Sequence, residues 1–212
     1  MSKLHSNILA AILIASLIIL TGCKESDPPK ATIGEQVWTI QNYDGTHYQN
    51  GDCIPEVKSA AEWEKLKTGA WCYYENDETN GKKYGRLYNL LAINDKRGFA
   101  PKGWHIPTNS EWIKLVDFLG GPLIAALAMK SNQGWNGSGN GTNSSKLNCL
   151  PGGIRSSIAF SGLGNQGLWW TSTKDSLTGY TFACDVTVGG NVYQTNGENN
   201  TGMAVRLIKD IE

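Results

Sequence analysis

The spacing of apolar and polar side chains along the chain predicts short strands separated by turns. Residues 36–40 alternate apolar and polar side chains and contain β-branched residues, which is typical of a half-buried strand. Five later segments, each bounded by turn residues, also resemble strands: Ile154–Phe160, Leu168–Ser172, Tyr180–Val188, Val192–Gln194 and Met203–Ile208.

Two helices are predicted from their starting residues and their apolar periodicity. Thr108, followed three residues later by Glu111, has the spacing of a capping box and precedes an apolar pattern that runs to Leu119. Pro122 can occupy a first helical turn and begins a second, short apolar helix that ends near Met129.

A further helix is predicted in the first third of the chain, where Ser59 and Glu62 repeat the capping-box spacing and Gly69 can end the helix. Helices therefore fall mostly in the first half and strands in the second. This order predicts an α+β domain with two or three short helices, followed by antiparallel strands.

Between the predicted helices and the late strands, residues 131–148 predict a long surface loop, because most of them are Gly, Asn, Ser or Thr. Trp135 is the one aromatic residue in this segment. It is either an anchor that pins the loop or a recognition residue. The other tryptophans on predicted strands, helices and turns are expected in the core: Trp38, Trp63, Trp104, Trp112, Trp169 and Trp170.

The N-terminus has the order of a secretory signal: a lysine at position 3, an uncharged apolar run over residues 8–20, and small residues after it. At a rise of about 1.5 Å per residue the run covers about 20 Å, too little to cross a hydrocarbon core of about 30 Å. Leu20-Thr21-Gly22-Cys23 then matches a lipobox. We therefore predict a lipoprotein signal peptide over residues 1–22, a lipidated N-terminus and spacer over 23–32, and one domain over 33–212.

In lipoproteins of this class the cysteine carries a diacylglyceryl group and its new amino group is acylated, so Cys23 is the expected lipid attachment site. Each buried CH₂ contributes about 0.8 kcal/mol, so two or three acyl chains hold a protein on a membrane. Lys24-Glu25 resembles an export signal to the outer face of the outer membrane. We expect the mature protein on the outer membrane at the cell surface, with the periplasmic face as the alternative.

Charge argues against a nucleic-acid partner. The whole chain carries 19 basic and 19 acidic side chains, and the predicted leader removes only Lys3 from this balance. The remaining lysines and arginines are scattered among acids, whereas a phosphate-binding surface is expected to show a basic stripe.

The residues indicate neither a metal nor a cofactor. Cys53, Cys72, Cys149 and Cys184 lack zinc-knuckle spacing, so they are expected either as buried free thiols or as one or two disulfides of unknown pairing. Gly162, Gly164 and Gly167 spell a nominal dinucleotide motif, but a strand pattern follows where a helix would be needed. His105 lies between apolar neighbours and indicates hydrogen bonding in a turn rather than general-base catalysis.

Six short segments lie in order at residues 34–38, 84–89, 101–112, 150–155, 169–173 and 202–206. Together they resemble the Fibrobacter succinogenes major paralogous domain (FISUMP) family. The resemblance implies a C-type-lectin-like fold, related to formylglycine-generating folds, and secreted or lipid-anchored proteins without a shared catalytic activity. This sequence departs from the family pattern at Leu90-Leu91 and at Lys146-Leu147-Asn148.

We expect a binding or adhesion module for glycan or protein ligands. The alternatives are a structural surface-coat protein and an enzyme related to the formylglycine-generating folds, although the local cysteine pair of those enzymes is missing. Ser176, in Asp175-Ser176-Leu177, resembles an O-glycosylation site. Carboxamides suit sugar hydroxyls and peptide groups, so the expected ligand contacts include Asn191, Gln194, Asn196, Asn199 and Asn200. The indole of Trp135 is the sixth expected contact.

Overall fold

A four-stranded antiparallel sheet joins the two ends of the chain. The computed structural model describes residues 27–211, in which the first strands are β1 (Lys30–Ile33) and β2 (Gln36–Thr39). This hairpin pairs with the last strand, β12 (Ile208–Lys209), which in turn pairs with β5 (Trp104–His105). Within residues 27–211 the first strand begins at Lys30, three residues before the expected start of the domain.

A second sheet contains the remaining strands. The order from one edge to the other is β10-β9-β8-β6-β11-β4-β3, and β7 pairs with β6 on the side. All these pairings are antiparallel except the one between β6 and β8. The strands are β3 (Trp71–Cys72), β4 (Leu87–Asn89), β6 (Gly152–Arg155), β7 (Phe160–Leu163), β8 (Gln166–Lys174), β9 (Thr181–Thr187), β10 (Val192–Gly197) and β11 (Gly202–Met203).

Five α-helices accompany the sheets in the described part of the chain: α1 (Ala60–Trp63), α2 (Glu78–Tyr84), α3 (Leu90–Ile93), α4 (Asn109–Phe118) and α5 (Pro122–Met129). The α+β class is confirmed. Within residues 27–211 no single helix is long and apolar enough to span a membrane, although α4 and α5 together meet that length and apolarity with a bend of 90° between them.

The predicted helix α4 has a complete capping box. The Thr108 hydroxyl accepts a hydrogen bond from the Glu111 backbone N–H at 3.2 Å, and the Glu111 carboxylate accepts one from the Thr108 N–H at 2.7 Å. Ser59 also caps α1, but that helix is a single turn that ends near Glu64, well before Gly69.

The sequence did not predict α2 and α3. Helix α2 has the sequence Glu-Thr-Asn-Gly-Lys-Lys-Tyr, which shows no apolar period, and its N-terminus is capped by Asp77. Helix α3 is one turn, capped by the Asn89 side chain, which accepts from Ala92 N–H at 3.0 Å. Short polar capping contacts therefore stabilise helices that a search for apolar periodicity overlooks.

Two predicted strands are divided in the structure. The segment 154–160 is broken by a turn in which Ser156 N–H donates to Ala159 C=O at 2.7 Å, which separates β6 from β7. The segment 203–208 is divided because the chain leaves the second sheet after β11 and joins the first sheet at β12.

The core contains all six tryptophans predicted to be there, each at most 5% exposed. In one cluster the ring of Trp112 lies 4.6 Å from the ring of Trp38 and 6.1 Å from that of Trp169, measured between centroids. This packing fixes α4 against both sheets, since Trp38 lies on β2 and Trp169 on β8.

A buried arginine holds the long 131–148 segment to the core. Arg206 is 1% exposed, and its guanidinium donates to the carbonyls of Thr39 (2.8 Å), Leu147 (2.9 Å) and Asn148 (3.0 Å). The segment has no helix or strand, as predicted, but it is packed against the domain and Leu147 is fully buried.

Candidate functional site

The amides expected to bind a ligand lie along one strand of the second sheet, just before it and in the turn that follows it. The middle of the segment 189–202 is the edge strand β10 (Val192–Gly197) rather than a loop, with Asn191 before the strand and Asn199 and Asn200 in the turn after it. Six strand residues at about 3.3 Å each span about 20 Å, so the amides at the two ends are far apart.

Several of these amides are used within the protein. Gln194 Oε1 accepts from Asn109 Nδ2 at 2.8 Å, and Asn200 Nδ2 donates to the Glu64 carbonyl at 2.6 Å. Asn191 Oδ1 accepts from the following backbone N–H at 3.0 Å. Asn196 and Asn199 are exposed, on β10 and in the following turn. The carboxamides therefore support edge and turn structure more directly than they define a binding face.

Trp135 is buried and anchors the loop, which is the first of the two roles that the sequence left open. Its side chain is 4% exposed, and the indole N–H donates to the Cys149 carbonyl at 3.1 Å. The loop folds back over the ring because Asn140 Oδ1 accepts from the Trp135 backbone N–H at 3.0 Å. Lys130 Nζ lies 5.1 Å from the ring centroid and covers one face.

A cleft opens between three other segments of the domain. It has a volume of about 1210 Å³ and is formed where the segment after β2 meets the residues before β1 and β5. We call it the Arg86 cleft. It is lined by residues 27–29, 41–49 and 99–102, together with Thr39, Gly51, Arg86 and Trp104.

Arg86 supplies a fixed cation to this cleft. The guanidinium carbon lies 4.3 Å from the ring centroid of Trp71 and 5.4 Å from that of Tyr73, so the group is held against two aromatic faces. One terminal nitrogen donates to the Asp44 backbone carbonyl, and the Asp44 carboxylate is 3.8 Å away and largely exposed. The Arg86 side chain is 15% exposed, and its Nε is buried without a hydrogen-bond partner in the described chain.

The cleft wall is held in place from the core side. Asn42 Oδ1 accepts from Trp169 Nε1 and from Arg206 Nε, both at 2.7 Å, and Asn42 Nδ2 donates to the Tyr84 carbonyl at 2.7 Å. Tyr88 OH donates to the Gly45 carbonyl at 2.7 Å from beneath the segment. The segment 41–49 therefore has a defined backbone path before any ligand arrives.

The remaining surfaces of the cleft combine aromatic and charged groups. The rings of Tyr43 and Phe99 pack edge to face, with centroids 5.1 Å apart. At the rim, a hydrogen bond from Lys30 lowers the pKa of Asp27, so this carboxylate stays ionised near neutral pH. Aromatic area beside fixed donors and acceptors suits a ligand with both apolar faces and oxygen acceptors.

Residues 31–209 match the model of the Fibrobacter succinogenes major domain. The chain belongs to this family. No curated protein and no solved structure matches it significantly. The matched region of this Fibrobacter succinogenes major domain contains Arg86 and the buried Arg206, which sequence reasoning did not select. Arg86 lies in segment 84–89, one of the six that resemble the family, and this is the signal in the sequence that could have identified it. Its aromatic partners, Trp71 and Tyr73, lie more than ten residues away in the chain.

The cysteines of the domain fall into two groups. The four described cysteines are free: Cys72, Cys149 and Cys184 are buried, and Cys53 is exposed. Burial raises the pKa of Cys72 and of Cys149 to about 11, and that of Cys184 well above its usual value. These four residues therefore form no disulfide in the structure.

Two further residues were expected to be modified. Cys23, the expected lipid attachment site, lies outside the described residues, and Ser176, the expected O-glycosylation site, is exposed in the turn between β8 and β9.

His105 forms part of an ion-pair bridge. Its Nδ1 lies 2.6 Å from an Asp210 carboxylate oxygen, and its Nε2 lies 3.0 Å from a Glu111 carboxylate oxygen. Burial alone would lower the pKa of His105, but these two hydrogen bonds raise it above its usual value. In residues 27–211 no group of three or more His, Cys, Asp or Glu side chains is placed to hold a metal ion.

An apolar face extends over α4 and α5. Five large apolar side chains on these helices are each 47–65% exposed. Contiguous exposed apolar surface on a soluble domain commonly marks a contact with another molecule. The side chains are Ile113, Phe118, Leu123, Ile124 and Leu127.

Proposed function

We propose that this protein is a membrane-tethered binding module whose ligand occupies the Arg86 cleft. The observation that carries the proposal is the Arg86 guanidinium, fixed on Trp71 and Tyr73 at the wall of a cleft of about 1210 Å³. A planar cation with spare N–H groups recognises carboxylate, phosphate or hydroxyl oxygens. The ligand class we propose is a glycan or an exposed segment of a protein that carries such oxygens.

The ligand is also expected to use the aromatic part of the cleft. The C–H face of a pyranose or an apolar peptide side chain can pack beside Tyr43, while a neighbouring oxygen reaches Arg86. The wall is already ordered by Asn42, so little conformational entropy is lost on binding.

The test uses the detergent-solubilised protein on glycan and peptide arrays. Any ligand found is then measured against Arg86→Gln, which removes the charge, and Arg86→Lys, which keeps it without the planar fork. We expect at least a tenfold loss of affinity with Arg86→Gln and a smaller loss with Arg86→Lys. Lys114→Gln is the matched control, because Lys114 is an exposed cation outside the cleft, paired with Glu35. Unchanged affinity of a folded Arg86→Gln protein would contradict the proposal.

We propose that acylated Cys23 tethers this module to the outer membrane, at the cell surface. Support comes from the lipobox and from the Lys24-Glu25 pair. Cys23→Ser should leave the protein either in the soluble fraction or as an uncleaved precursor. Unchanged, detergent-dependent membrane fractionation of this variant would refute the tether.

The C-type-lectin-like arrangement remains part of this proposal. It is supported by the family membership and by an α+β domain in which the N-terminal and C-terminal strands share one sheet. An experimental structure of residues 23–212 would test it.

A structural surface-coat role is the second candidate function. The apolar face on α4 and α5 favours it, because coat subunits need lateral contacts. If the protein is a coat subunit, Leu123→Glu and Leu127→Glu should disperse its assemblies on the membrane. A protein that is monomeric with or without these changes would leave only the binding role.

A further inference from the structure

Cys53 differs from the other described cysteines because its side chain is exposed. Cys72, Cys149 and Cys184 lie in the apolar clusters, where a free thiol packs as a small apolar side chain. Packing therefore gives no account of a cysteine at position 53.

The sulfur of Cys53 lies within hydrogen-bond distance of an imidazole. Cys53 Sγ is 3.3 Å from His47 Nε2, and His47 Nδ1 is 2.9 Å from the Thr46 hydroxyl oxygen. In the tautomer protonated on Nδ1, the ring donates to the Thr46 hydroxyl, and Nε2 is left as the acceptor for the thiol proton. Cys53 is thus a nucleophile within reach of a base, His47, whose ring is oriented by the Thr46 hydroxyl.

The hairpin that carries these residues is held from several directions. Tyr48 N–H donates to the Asp52 carbonyl at 2.9 Å, and Ile54 N–H donates to the Thr46 carbonyl at 2.7 Å. Arg97 binds the Asp52 carboxylate at 3.0 Å and lies 4.0 Å from the Tyr48 ring centroid. His47 and Cys53 are therefore paired across a hairpin whose conformation is fixed by these surrounding contacts.

We propose that Cys53 and His47 form a thiol–disulfide exchange site that accepts small disulfides at the rim of the Arg86 cleft. His47 takes the proton of Cys53, and the thiolate attacks one sulfur of the incoming disulfide. The new S–S bond joins Cys53 to that half of the reagent, and the old S–S bond breaks. The departing thiolate takes the proton from the imidazolium, so the incoming disulfide is the oxidant and the reaction is balanced.

Access is provided by the cleft, since His47 is among its lining residues and the Cys53 side chain is open to solvent. The site does not depend on a ligand in the cleft, and it does not depend on the membrane tether. Its chemistry requires only an exposed thiol, the adjacent imidazole and a disulfide in the medium.

The test is a titration with 5,5′-dithiobis(2-nitrobenzoic acid), a small aromatic disulfide that releases a coloured thiolate on exchange. The purified full-length mature protein in detergent should release one rapid equivalent while folded, and three more on unfolding. Cys53→Ser should abolish the rapid equivalent. Because acylation removes the thiol of Cys23, an unacylated protein would show one additional equivalent that Cys53→Ser does not remove, which separates failure of the tether from failure of this site.

His47→Gln tests the role of the imidazole. We expect exchange at neutral pH to be at least tenfold slower than in the wild type, because the thiol proton then has no imidazole nitrogen to accept it. His105→Gln is the matched control, because it removes a histidine outside the hairpin, and its exchange rate should equal that of the wild type. Melting temperatures check that the variants are folded.

Two results would overturn the proposal. One is a rapid equivalent that survives in Cys53→Ser and is not the extra Cys23 thiol. The other is a folded His47→Gln protein with the wild-type rate. If His47→Gln fails to fold, the wild type decides instead: a rapid equivalent in the folded protein that reacts no faster than the thiols of the unfolded chain would rule out assistance by His47.

Discussion

Replacing Arg206 tests whether a buried cation holds the long 131–148 segment to the core. The guanidinium is 1% exposed and makes four hydrogen bonds, to neutral oxygens of Thr39, Asn42, Leu147 and Asn148. Within residues 27–211 it makes no ion pair at 4 Å or less. Burial lowers its pKa to about 10, so it remains charged at neutral pH.

Arg206→Met keeps much of the side-chain volume and removes all four hydrogen bonds. Bonds to a charged group contribute about 1.5–3 kcal/mol each, which gives an upper bound near 6–12 kcal/mol if they were additive. The variant also avoids burying a charge, which recovers several kcal/mol. A net loss of about 3–5 kcal/mol in the free energy of unfolding is therefore expected, a large part of the ~5–15 kcal/mol typical of a domain. Arg206→Lys should lose less, because an ammonium can still donate three hydrogen bonds.

Urea unfolding followed by tryptophan fluorescence measures these differences. Lys114→Met is the matched control, since it removes a cation that is 56% exposed, and it should change stability by less than about 0.5 kcal/mol. If Arg206→Met unfolds within about 1 kcal/mol of the wild type, the hydrogen bonds do not hold the segment, and the reasoning is wrong.

Three further predictions concern other buried or ion-paired groups. Trp135→Ala should destabilise the domain by about 3–5 kcal/mol, as much as Trp112→Ala, because both indoles are buried. If urea unfolding shows that Trp135→Ala lowers the free energy of unfolding by less than about 1 kcal/mol, the indole of Trp135 is not part of the core. The raised pKa of His105 means that its ion pairs stabilise the fold fully below about pH 6.5 and that this contribution is lost as pH rises through the folded-state pKa. His105→Gln should therefore reduce the melting temperature more at pH 6 than at pH 8.5, by the equivalent of about 1 kcal/mol or less because the side chain is 37% exposed, and an equal reduction at both would contradict this. Burial raises the pKa of Asp185 to about 6 in the folded state, so the wild-type free energy of unfolding should decrease as pH rises from about 4 to 6. Asp185→Asn should remove this decrease and be more stable than the wild type at pH 7, and a variant whose pH profile runs parallel to that of the wild type would refute this.

The regular elements that carry their own local signals were predictable. Helix α4 has both a capping box and an apolar period, and strand β2 alternates, so each is specified within about ten residues. The division of the segment 203–208 between two sheets was not predictable, because it depends on partners at Asn89 and Trp38, far away in the chain.

The candidate site was harder to predict, for a related physical reason. The composition of the 131–148 segment describes a polar loop correctly, but it cannot show that the loop folds back and buries Trp135. Arg86 is an unremarkable arginine in sequence, and its importance arises from the rings of Trp71 and Tyr73, which approach it only in the folded domain.

The same network connects the core to the cleft. Asn42 accepts from Arg206 on its core side, and the segment that follows Asn42 forms the cleft wall. Arg206 is not itself among the cleft-lining residues. Because a lysine at position 206 could not reproduce the planar set of donors, Arg206→Lys should loosen the wall while leaving every lining side chain in place. A ligand of the cleft should therefore bind this variant more weakly, with a more unfavourable binding entropy, because binding would have to order the wall that Arg206 holds in the wild type.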